Sequence, residues 1–514
     1  MSAMEPIVST KAGRIEGVCE NQQYVFKGVP YAAPPVGALR WMPPQPVAPW
    51  AGTRPAKAFR PICPQNPMPG PQMIATLQVD DPQDEDCLFL NIWTPGLDAA
   101  RRPVMVWIHG GAFIIGAGSQ TMFRSNTLVS RCDVVLVTIN YRLGALGFMN
   151  LKEVTGGRIP ATGCEGLLDQ VAALEWVRDN IAGFGGDPDN ITVFGESAGG
   201  MSIGCLMGMP AAKGKFQKGI LESGAANTVS SLEDSVDAAV QFLDILRLKG
   251  KDVAALRSLS VKQLMGTQQK LGEIMLAKDN RITPFQPVVD GTALPEVPIL
   301  AIDKGSAAGV KIIAGTNLDE FKLFAIPDPA FRRIDEAGVI QRLEALIPPQ
   351  YVSRVIEAYR KGSAGRGEKT SPAEILMAIQ GDLMFRMPSL RLVEAQGRNG
   401  QPAYNYLFAW KSPVMGGVLG ACHALEVGFV FGSHDASFCG SGPEADALSA
   451  KIQDAWASFA RTGNPSCSSI GKWEPYGAGR ATMILDTSCR MEVAPYEAER
   501  SVWDTFEMLF TKPI

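Results

Sequence analysis

Histidine is scarce in this sequence, because its 514 residues include only His109, His423 and His434. Three histidines so far apart do not form the closely spaced ligand sets that zinc sites need. The ten cysteines contain no C-x-x-C pair, and they are too few for a disulfide scaffold in a chain of this length. We therefore expect no metal site.

Long apolar runs and clusters of basic residues are also absent. No uninterrupted apolar stretch approaches the roughly 20 residues of a transmembrane helix. No basic run exceeds the pairs Arg101-Arg102 and Arg332-Arg333, and the net charge is −4. These features predict neither a membrane span nor a nucleic-acid partner. They do not predict an oligomeric state.

The first 17 residues, MSAMEPIVSTKAGRIEG, contain no apolar segment of the kind found in a signal peptide. We expect a cytoplasmic protein, or a secreted one whose leader has been removed.

The chain does contain short β-branched runs that alternate with helical patterns. This alternation predicts one α/β domain over 1–514, with a mostly parallel sheet flanked by helices on both faces. One helical pattern begins near residue 165, and Gly183 is its predicted C-cap. Strands are predicted at 103–109, 133–140, 190–195, 218–223 and 310–315.

Four approximate sub-regions are expected along the chain. Residues 1–100 form an antiparallel flap and a sheet edge, and 101–229 form the core with a strand-to-helix turn. Residues 230–300 form a helical insertion, and 301–514 complete the core and carry the remaining functional groups.

Two serines stand at the centre of a G-x-S-x-G pattern, Ser197 and Ser202. Ser197 follows a β-branched strand directly and opens a helix, which is the setting of a nucleophile elbow. Gly195 and Gly199 would permit the tight turn. Ser202 lies more than one helical turn further on, where its flanking glycines indicate close helix packing instead. We interpret Ser197 as the nucleophile and Ser202 as a chance match.

A serine hydroxyl needs a base to accept its proton, and histidine titrates in the right range. In an α/β-hydrolase the chain order is nucleophile, acid, histidine, which leaves both His423 and His434 open. His109 ends a strand in HGG, which is either a plain turn or an oxyanion loop. We favour the loop, in which Gly110 and Gly111 offer backbone N–H groups and Ala198 adds a third.

Several longer segments resemble, in order, those of the type B carboxylesterase and cholinesterase-like family, especially its microbial carboxylesterases. The resemblance runs from about residue 8 to about residue 505 and thins between 230 and 285. The matching segments are GVPYAAPPVGALRW (28–41), EDCLFLNIWTP (85–95), INYRLGALGF (139–148), GLLDQVAALEWV (166–177) and GDPDNITVFGESAGG (186–200).

The resemblance implies an α/β-hydrolase fold with a serine–glutamate–histidine triad and no cofactor. The segment IIAGTNLDEFKLF points to Glu320 as the acid rather than Asp319, and GACHALEVGFVFG selects His423 as the base. Phe321 and Ala424 depart from the family pattern, which has glycine at both positions.

Supporting roles also come from the resemblance alone. Glu196 and Ser223 match positions that support the histidine through hydrogen bonds. Cys63 and Cys87 match the family's first disulfide, which would form in an oxidising compartment and stay as paired thiols in a reducing one. Two further matches are the ion pairs Arg40–Glu85 and Arg142–Asp169.

These observations predict a serine carboxylesterase that acts on small uncharged esters through an acyl-enzyme. An amidase or carbamate hydrolase with the same triad is one alternative, and a non-catalytic binding protein is another. A choline esterase is not expected, because the loop between Cys63 and Cys87 contains no aromatic residue to hold a quaternary ammonium.

Overall fold

The computed structural model describes residues 6–67, 79–124, 127–279, 283–325 and 328–513. Within them, the strands are β1 (Ile7–Ser9), β2 (Arg14–Glu16), β3 (Val18–Glu20), β4 (Gln23–Pro30), β5 (Thr53–Pro55), β6 (Phe89–Thr94), β7 (Arg102–Ile108), β8 (Val135–Ile139), β9 (Gly186–Glu196), β10 (Lys218–Glu222), β11 (Lys311–Asn317), β12 (Ala403–Phe408), β13 (Ala481–Leu485) and β14 (Arg490–Val493).

The helices of the same residues alternate with these strands through most of the chain. They are α1 (Thr127–Cys132), α2 (Gly144–Gly147), α3 (Lys152–Thr155), α4 (Glu165–Asn180), α5 (Ala198–Gly208), α6 (Leu232–Ile245), α7 (Val253–Arg257), α8 (Val261–Asp279), α9 (Pro298–Asp303), α10 (Lys322–Ala325), α11 (Glu336–Glu344), α12 (Pro349–Gly365), α13 (Pro372–Gly381), α14 (Met387–Arg398), α15 (Val427–Phe431), α16 (Pro443–Thr462) and α17 (Glu497–Val502).

An 11-stranded sheet forms the centre of the fold, in the order β14-β13-β12-β11-β10-β9-β7-β8-β6-β4-β3. Strands β8, β7 and β9 to β13 pair in parallel, and the strands at both ends of the sheet pair antiparallel. The predicted mostly parallel sheet is therefore confirmed. All five predicted strands are present.

The sheet is covered on both faces because its central strands are apolar on both sides. In β7, Val104, Val106 and Ile108 enter one hydrophobic cluster, and Met105 and Trp107 enter the other. This division follows from the two-residue period of a strand. The parallel register also brings the carboxyl ends of neighbouring strands to one edge, where side chains can meet.

The N-terminal region differs in one detail from the predicted antiparallel flap. Strands β1 and β2 pair antiparallel, but β5 joins β2 in parallel to complete a small three-stranded sheet. The predicted helical character of the insertion is confirmed by α6, α7 and α8.

The predicted C-cap at Gly183 is wrong. Helix α4 ends at Asn180 and continues as a 3-10 turn over Ile181–Phe184, so that Gly183 lies inside the turn. The left-handed cap falls on Gly185, with φ 76°. The extra turn moves the position that favours glycine two residues along the chain.

The buried ion pair Arg142–Asp169 joins the start of α2 to α4. The guanidinium donates to both carboxylate oxygens, at 2.8 and 2.7 Å, and both side chains are almost fully buried. Arg40 and Glu85 form the second predicted pair, with Nε 2.7 Å from Oε2. Both pairs have the scaffold positions that the sequence predicts.

No helix in the described part of the chain is long and apolar enough to cross a membrane.

Candidate active site

Ser197 lies at the sharp turn between β9 and α5. Its backbone angles, φ 55° and ψ −123°, belong to a region that residues with a side chain rarely adopt. A Cβ added at Gly195 or Gly199 would lie 2.5 or 2.0 Å from the Ile108 carbonyl oxygen. Only glycine fits at these two positions, and the resulting turn lifts the half-exposed Ser197 out of its buried surroundings.

Ser202 lies inside α5 and is fully buried. Its hydroxyl accepts a hydrogen bond from Gln170 Nε2 at 3.0 Å. A Cβ at Gly204 would come within 2.3 Å of the Ala225 carbonyl oxygen. The glycines around Ser202 therefore serve close packing, as the sequence predicts.

His423 and Glu320 come together from loops that follow different strands. The imidazole Nδ1 lies 2.6 Å from Glu320 Oε2, and both side chains are buried. The backbone N–H of His423 also donates to the Glu320 carbonyl oxygen at 3.3 Å. This double contact fixes the ring orientation and leaves Nε2 as the nitrogen that faces the elbow.

Asp319, the neighbouring carboxylate, points elsewhere. Its Oδ2 accepts from the Ala421 backbone N–H at 2.9 Å, and its Oδ1 lies 2.9 Å from Lys322 Nζ. Asp319 therefore connects the two loops that carry Glu320 and His423, but it does not contact the imidazole.

The second carboxylate oxygen of Glu320 is held by two donors. Ser223 Oγ donates to Oε1 at 2.5 Å, and the Asn317 backbone N–H donates at 2.7 Å. Together with the imidazole N–H, Glu320 accepts three hydrogen bonds, which is the role of an ionised carboxylate.

Glu426 extends this network, although no sequence pattern predicts its role. Asn317 Nδ2 donates to Glu426 Oε2 at 2.5 Å, and Glu426 Oε1 lies 3.5 Å from Ser223 Oγ. Burial raises the pKa of Glu426 well above its usual range, and the nearby carboxylates raise it further. The single hydroxyl hydrogen of Ser223 is used on Glu320, so a protonated Glu426 can donate to Ser223 in turn.

Glu196 lies on the other side of the imidazole, with Oε1 3.0 Å from His423 Nε2. Burial favours the neutral ring, but the carboxylates of Glu196 and Glu320 outweigh it and raise the pKa of His423 well above its usual value. Among the described residues, Ser197 Oγ forms no hydrogen bond with His423. Bonds of this kind commonly tighten only when substrate is bound.

The HGG segment lies directly against the elbow. A Cβ at Gly110 would come within 3.1 Å of Ser197 Cβ and within 2.7 Å of the Glu196 carbonyl oxygen. The backbone N–H groups of Gly110, Gly111 and Ala198 have no acceptor among the described residues. Gly110 and Ala198 thus bring free donors beside the serine, and Gly111 follows Gly110 in the same segment; Ala198 is also the first residue of a helix whose dipole favours negative charge.

His109 anchors this segment and is neutral. Burial lowers the pKa of His109 to about 4. Its Nδ1 lies 2.8 Å from the Gly110 carbonyl oxygen, and its ring stacks on Tyr141 with centroids 4.5 Å apart. His109 therefore shapes the loop and is not available as a base.

His434 is an ordinary half-buried residue, as the sequence analysis expects. Its Nε2 lies 2.9 Å from Asp446 Oδ1, and its ring stacks on Phe429. No contact joins it to Glu320 among the described residues.

Both departures from the family pattern have local consequences. Ala424 has φ 64°, a left-handed conformation that favours glycine and is strained for alanine. Phe321 packs against Phe324, with ring centroids 5.5 Å apart. Phe324 and Phe385 in turn lie beside the His423 ring, with centroids 5.1 and 4.6 Å away, so apolar rings contact this imidazole.

Cys63 and Cys87 are both buried, and both thiols are free in this structure. The disulfide implied by the family resemblance is therefore not formed here. A hydrogen bond with Cys63 and burial raise the pKa of Cys87 well above its usual range, and Leu143 N donates to Cys63 Sγ at 3.2 Å. Bonding in an oxidising compartment stays a prediction. The middle of the loop between the two cysteines, 68–78, lies outside the described residues.

The large, mostly parallel sheet with a strained serine at its central strand-to-helix turn defines the class of α/β-hydrolases. Comparison with known proteins narrows this class. The sequence profile of the Carboxylesterase family matches residues 4–503. The chain belongs to this family, which confirms the resemblance seen in the sequence.

The curated relatives cover nearly the whole chain. Para-nitrobenzyl esterase of Bacillus subtilis is 38% identical over 505 residues, which span 96% of this chain and 97% of that protein. Phenmedipham hydrolase of Pseudarthrobacter oxydans is 35% identical, with 95% and 96% covered. Carboxylesterase 1E of Mus musculus is 33% identical, with 97% and 93% covered.

Solved structures agree with the fold. Carboxylesterase EST55 of Geobacillus stearothermophilus superposes with a TM-score of 0.85 at 36% identity, over 97% of this chain and 99% of that chain. A PNB esterase structure superposes with a TM-score of 0.84 at 37% identity, over 97% and 100%. The protein is thus a carboxylesterase, a serine hydrolase of small carboxylic esters, and the non-catalytic alternative is set aside.

The Glu196 carboxylate offers a test of the histidine's environment. Glu196→Gln removes a negative charge beside Nε2, so the pKa of His423 falls and the neutral base persists to lower pH. We expect the rising, acid limb of the kcat/KM profile for a neutral ester to move to lower pH. Glu175→Gln, which removes a charge from the exposed face of α4, should leave the limb in place. If the acid limb of kcat/KM does not move in Glu196→Gln, Glu196 does not control the pKa of His423 in the way that the geometry indicates.

Proposed function

We propose that Ser197, His423 and Glu320 are the catalytic triad of this carboxylesterase. The observation that carries this proposal is the 2.6 Å contact between Glu320 and His423, placed beside a serine in a strained elbow. In the reaction, Ser197 Oγ attacks the acyl carbon while His423 Nε2 accepts its proton. Glu320 holds the Nδ1–H tautomer and stabilises the imidazolium that forms.

The free N–H groups of Gly110, Gly111 and Ala198 receive the negative charge that develops on the carbonyl oxygen. Their lack of other acceptors supports this role, because donors already aimed at the oxyanion need no rearrangement during the reaction. His423 then returns its proton to the leaving alkoxide, and the ester bond breaks. A water molecule, deprotonated by the same histidine, hydrolyses the acyl-enzyme and restores Ser197.

Glu196 and Ser223 support the base in this proposal. Ser223 donates to the carboxylate of Glu320 and so favours its ionised form, and Glu196 stabilises the protonated imidazole. Neither side chain forms or breaks a bond with the substrate.

Glu320→Gln and Asp319→Asn form a matched pair that tests the acid. Glu320→Gln loses the acceptor that fixes the imidazole tautomer, and the corresponding amide in the serine-protease template lowers kcat by about 10⁴. Asp319→Asn alters only the contacts with Lys322 and Ala421, so we expect a much smaller loss of kcat. Circular dichroism would verify folding of both variants. A larger loss in Asp319→Asn would show that the acid is misassigned.

The substrate class that the site supports best is uncharged esters. Two carboxylates of the acidic stretch 80–86 already have partners, since Glu85 pairs with Arg40, and Asp81 accepts from Ser119 Oγ at 2.5 Å. The rings of Phe324 and Phe385 beside His423 add an apolar wall.

Carbamate hydrolysis is the second candidate activity. It is favoured by the 35% identity to a protein named phenmedipham hydrolase, over 95% of this chain. The same triad and oxyanion donors serve a carbamate carbonyl, because the attack and the charge that develops are alike. An amidase activity has no comparable observation in its favour.

Two esters of nearly equal shape separate the substrate classes. Butyrylcholine carries a quaternary ammonium, and 3,3-dimethylbutyl butyrate replaces that nitrogen by carbon. We expect a higher kcat/KM for the neutral ester, because Glu85 and Asp81 are already paired and do not offset the desolvation of the cation. A phenyl carbamate assayed in parallel measures the second activity. A clear preference for butyrylcholine would overturn the assignment to uncharged esters.

A further inference from the structure

Glu222 carries a buried carboxyl group close to the proposed nucleophile, Ser197. This carboxyl group has no part in the proposed mechanism. It ends β10 in the middle of the sheet, in register with Glu196 of β9 and Gly315 of β11. Its carbonyl oxygen accepts the backbone N–H of Ser197 at 2.8 Å, and the residue is fully buried. One hydrogen bond therefore connects its backbone to the strained turn.

The side chain of Glu222 has too few donors for a carboxylate. Trp456 Nε1, from α16, donates to Oε1 at 2.8 Å, while Oε2 has no hydrogen-bond partner. Glu320, by contrast, accepts from three donors. A buried anion with one donor and no counter-charge is costly, whereas a protonated carboxyl group with the same contacts is not.

The groups around Glu222 also oppose its ionisation. Glu196 faces it from β9, Tyr406 from β12 and Glu426 from the turn before α15, and none of them is a cation. Burial, opposed by the Trp456 hydrogen bond and assisted by the charge of Glu196, raises the pKa of Glu222 to about 8.

We propose that Glu222 is a positioning residue that functions as a neutral carboxylic acid, and that transfer of its proton to solvent at alkaline pH inactivates the elbow. This inference rests on the proposed role of Ser197. The O–H bond of the carboxyl group breaks, the proton goes to water or buffer, and the electron pair stays as a buried negative charge. No other reactant is needed.

Two effects connect that charge to the reaction. A carboxylate below the turn opposes the negative charge that develops on the substrate oxygen near Gly110 and Ala198. The carboxylate also lacks hydrogen-bond donors at Oε2, which favours a displacement of the end of β10. Such a displacement would disturb Ser197, because the Glu222 carbonyl oxygen accepts its backbone N–H. Both effects lower turnover without removing any group that touches the substrate.

Glu222→Gln keeps the acceptor for Trp456 and cannot ionise. We expect kcat/KM near wild type at neutral pH. One pH unit above the pKa of Glu222, wild type should keep about a tenth of its plateau value, while Glu222→Gln should show no such fall. Trp456→Phe removes the hydrogen bond that favours the ionised form of Glu222. As a single substitution it should therefore move the alkaline fall of kcat/KM to higher pH. Combined with Glu222→Gln, it should have no such effect.

Glu165→Gln is the matched control, because Glu165 is a buried carboxyl group at the start of α4 whose pKa burial raises to about 7. It should leave the alkaline limb of kcat/KM in place. The melting temperature gives a readout without catalysis. Since the pKa of Glu222 is raised on folding, wild type loses stability as the pH rises from about 4.5 through about 8, and the advantage of Glu222→Gln should grow over that window.

The outcomes separate the inference from the function on which it rests. A wild-type protein without esterase activity would refute the proposed function. An active wild type whose alkaline fall persists unchanged in Glu222→Gln would overturn the inference. A folded Glu222→Gln protein that is inactive at neutral pH would also overturn it, because the inference requires that a neutral group which keeps the acceptor for Trp456 supports the reaction.

Discussion

The close approach of β7 to the turn between β9 and α5 is the constraint on which the site depends. Side chains at Gly195 and Gly199 would collide with the carbonyl oxygen of Ile108, so the sharp turn at Ser197 can pack this closely against β7 only with glycine at both positions. That turn places the serine at the carboxyl edge of a parallel sheet and at the N-terminus of a helix. The HGG segment, which continues from β7, is brought against it for the same reason.

A balance among buried acids is the second feature of the site. Glu320 accepts three hydrogen bonds and acts as a carboxylate, whereas burial raises the pKa of both Glu222 and Glu426. The difference follows from the number of donors that each group finds. His423 lies between Glu196 and Glu320, so its basicity depends on which neighbouring carboxyl groups carry charge.

The fold and the elbow could be predicted because they depend on local patterns. A β-branched run, two glycines and a helix are adjacent in sequence, so Ser197 could be separated from Ser202 without any structure. The base could not be chosen from spacing alone, since His423 and His434 both follow the nucleophile, and the family resemblance was needed. Gly183 was misplaced by two residues because a 3-10 turn extends α4.

Contacts between residues that are distant in sequence could not be predicted from local patterns. Glu426 joins the network around Glu320 from the turn before α15, more than 100 residues further along the chain, and Glu222 reaches Glu196 only through the pairing of β9 with β10. No local pattern distinguishes these side chains from solvated ones. The state of Cys63 and Cys87 was likewise open, because it depends on the compartment as well as on their contact.

Covalent labelling tests the central assignment most directly. A fluorophosphonate ester transfers its phosphonyl group to an activated serine and releases fluoride, and peptide mass spectrometry locates the adduct. The account predicts one adduct, on Ser197, which forms as fast in Ser202→Ala as in wild type and far more slowly in His423→Ala. An adduct on Ser202, or undiminished labelling of Ser197 in His423→Ala, would contradict it.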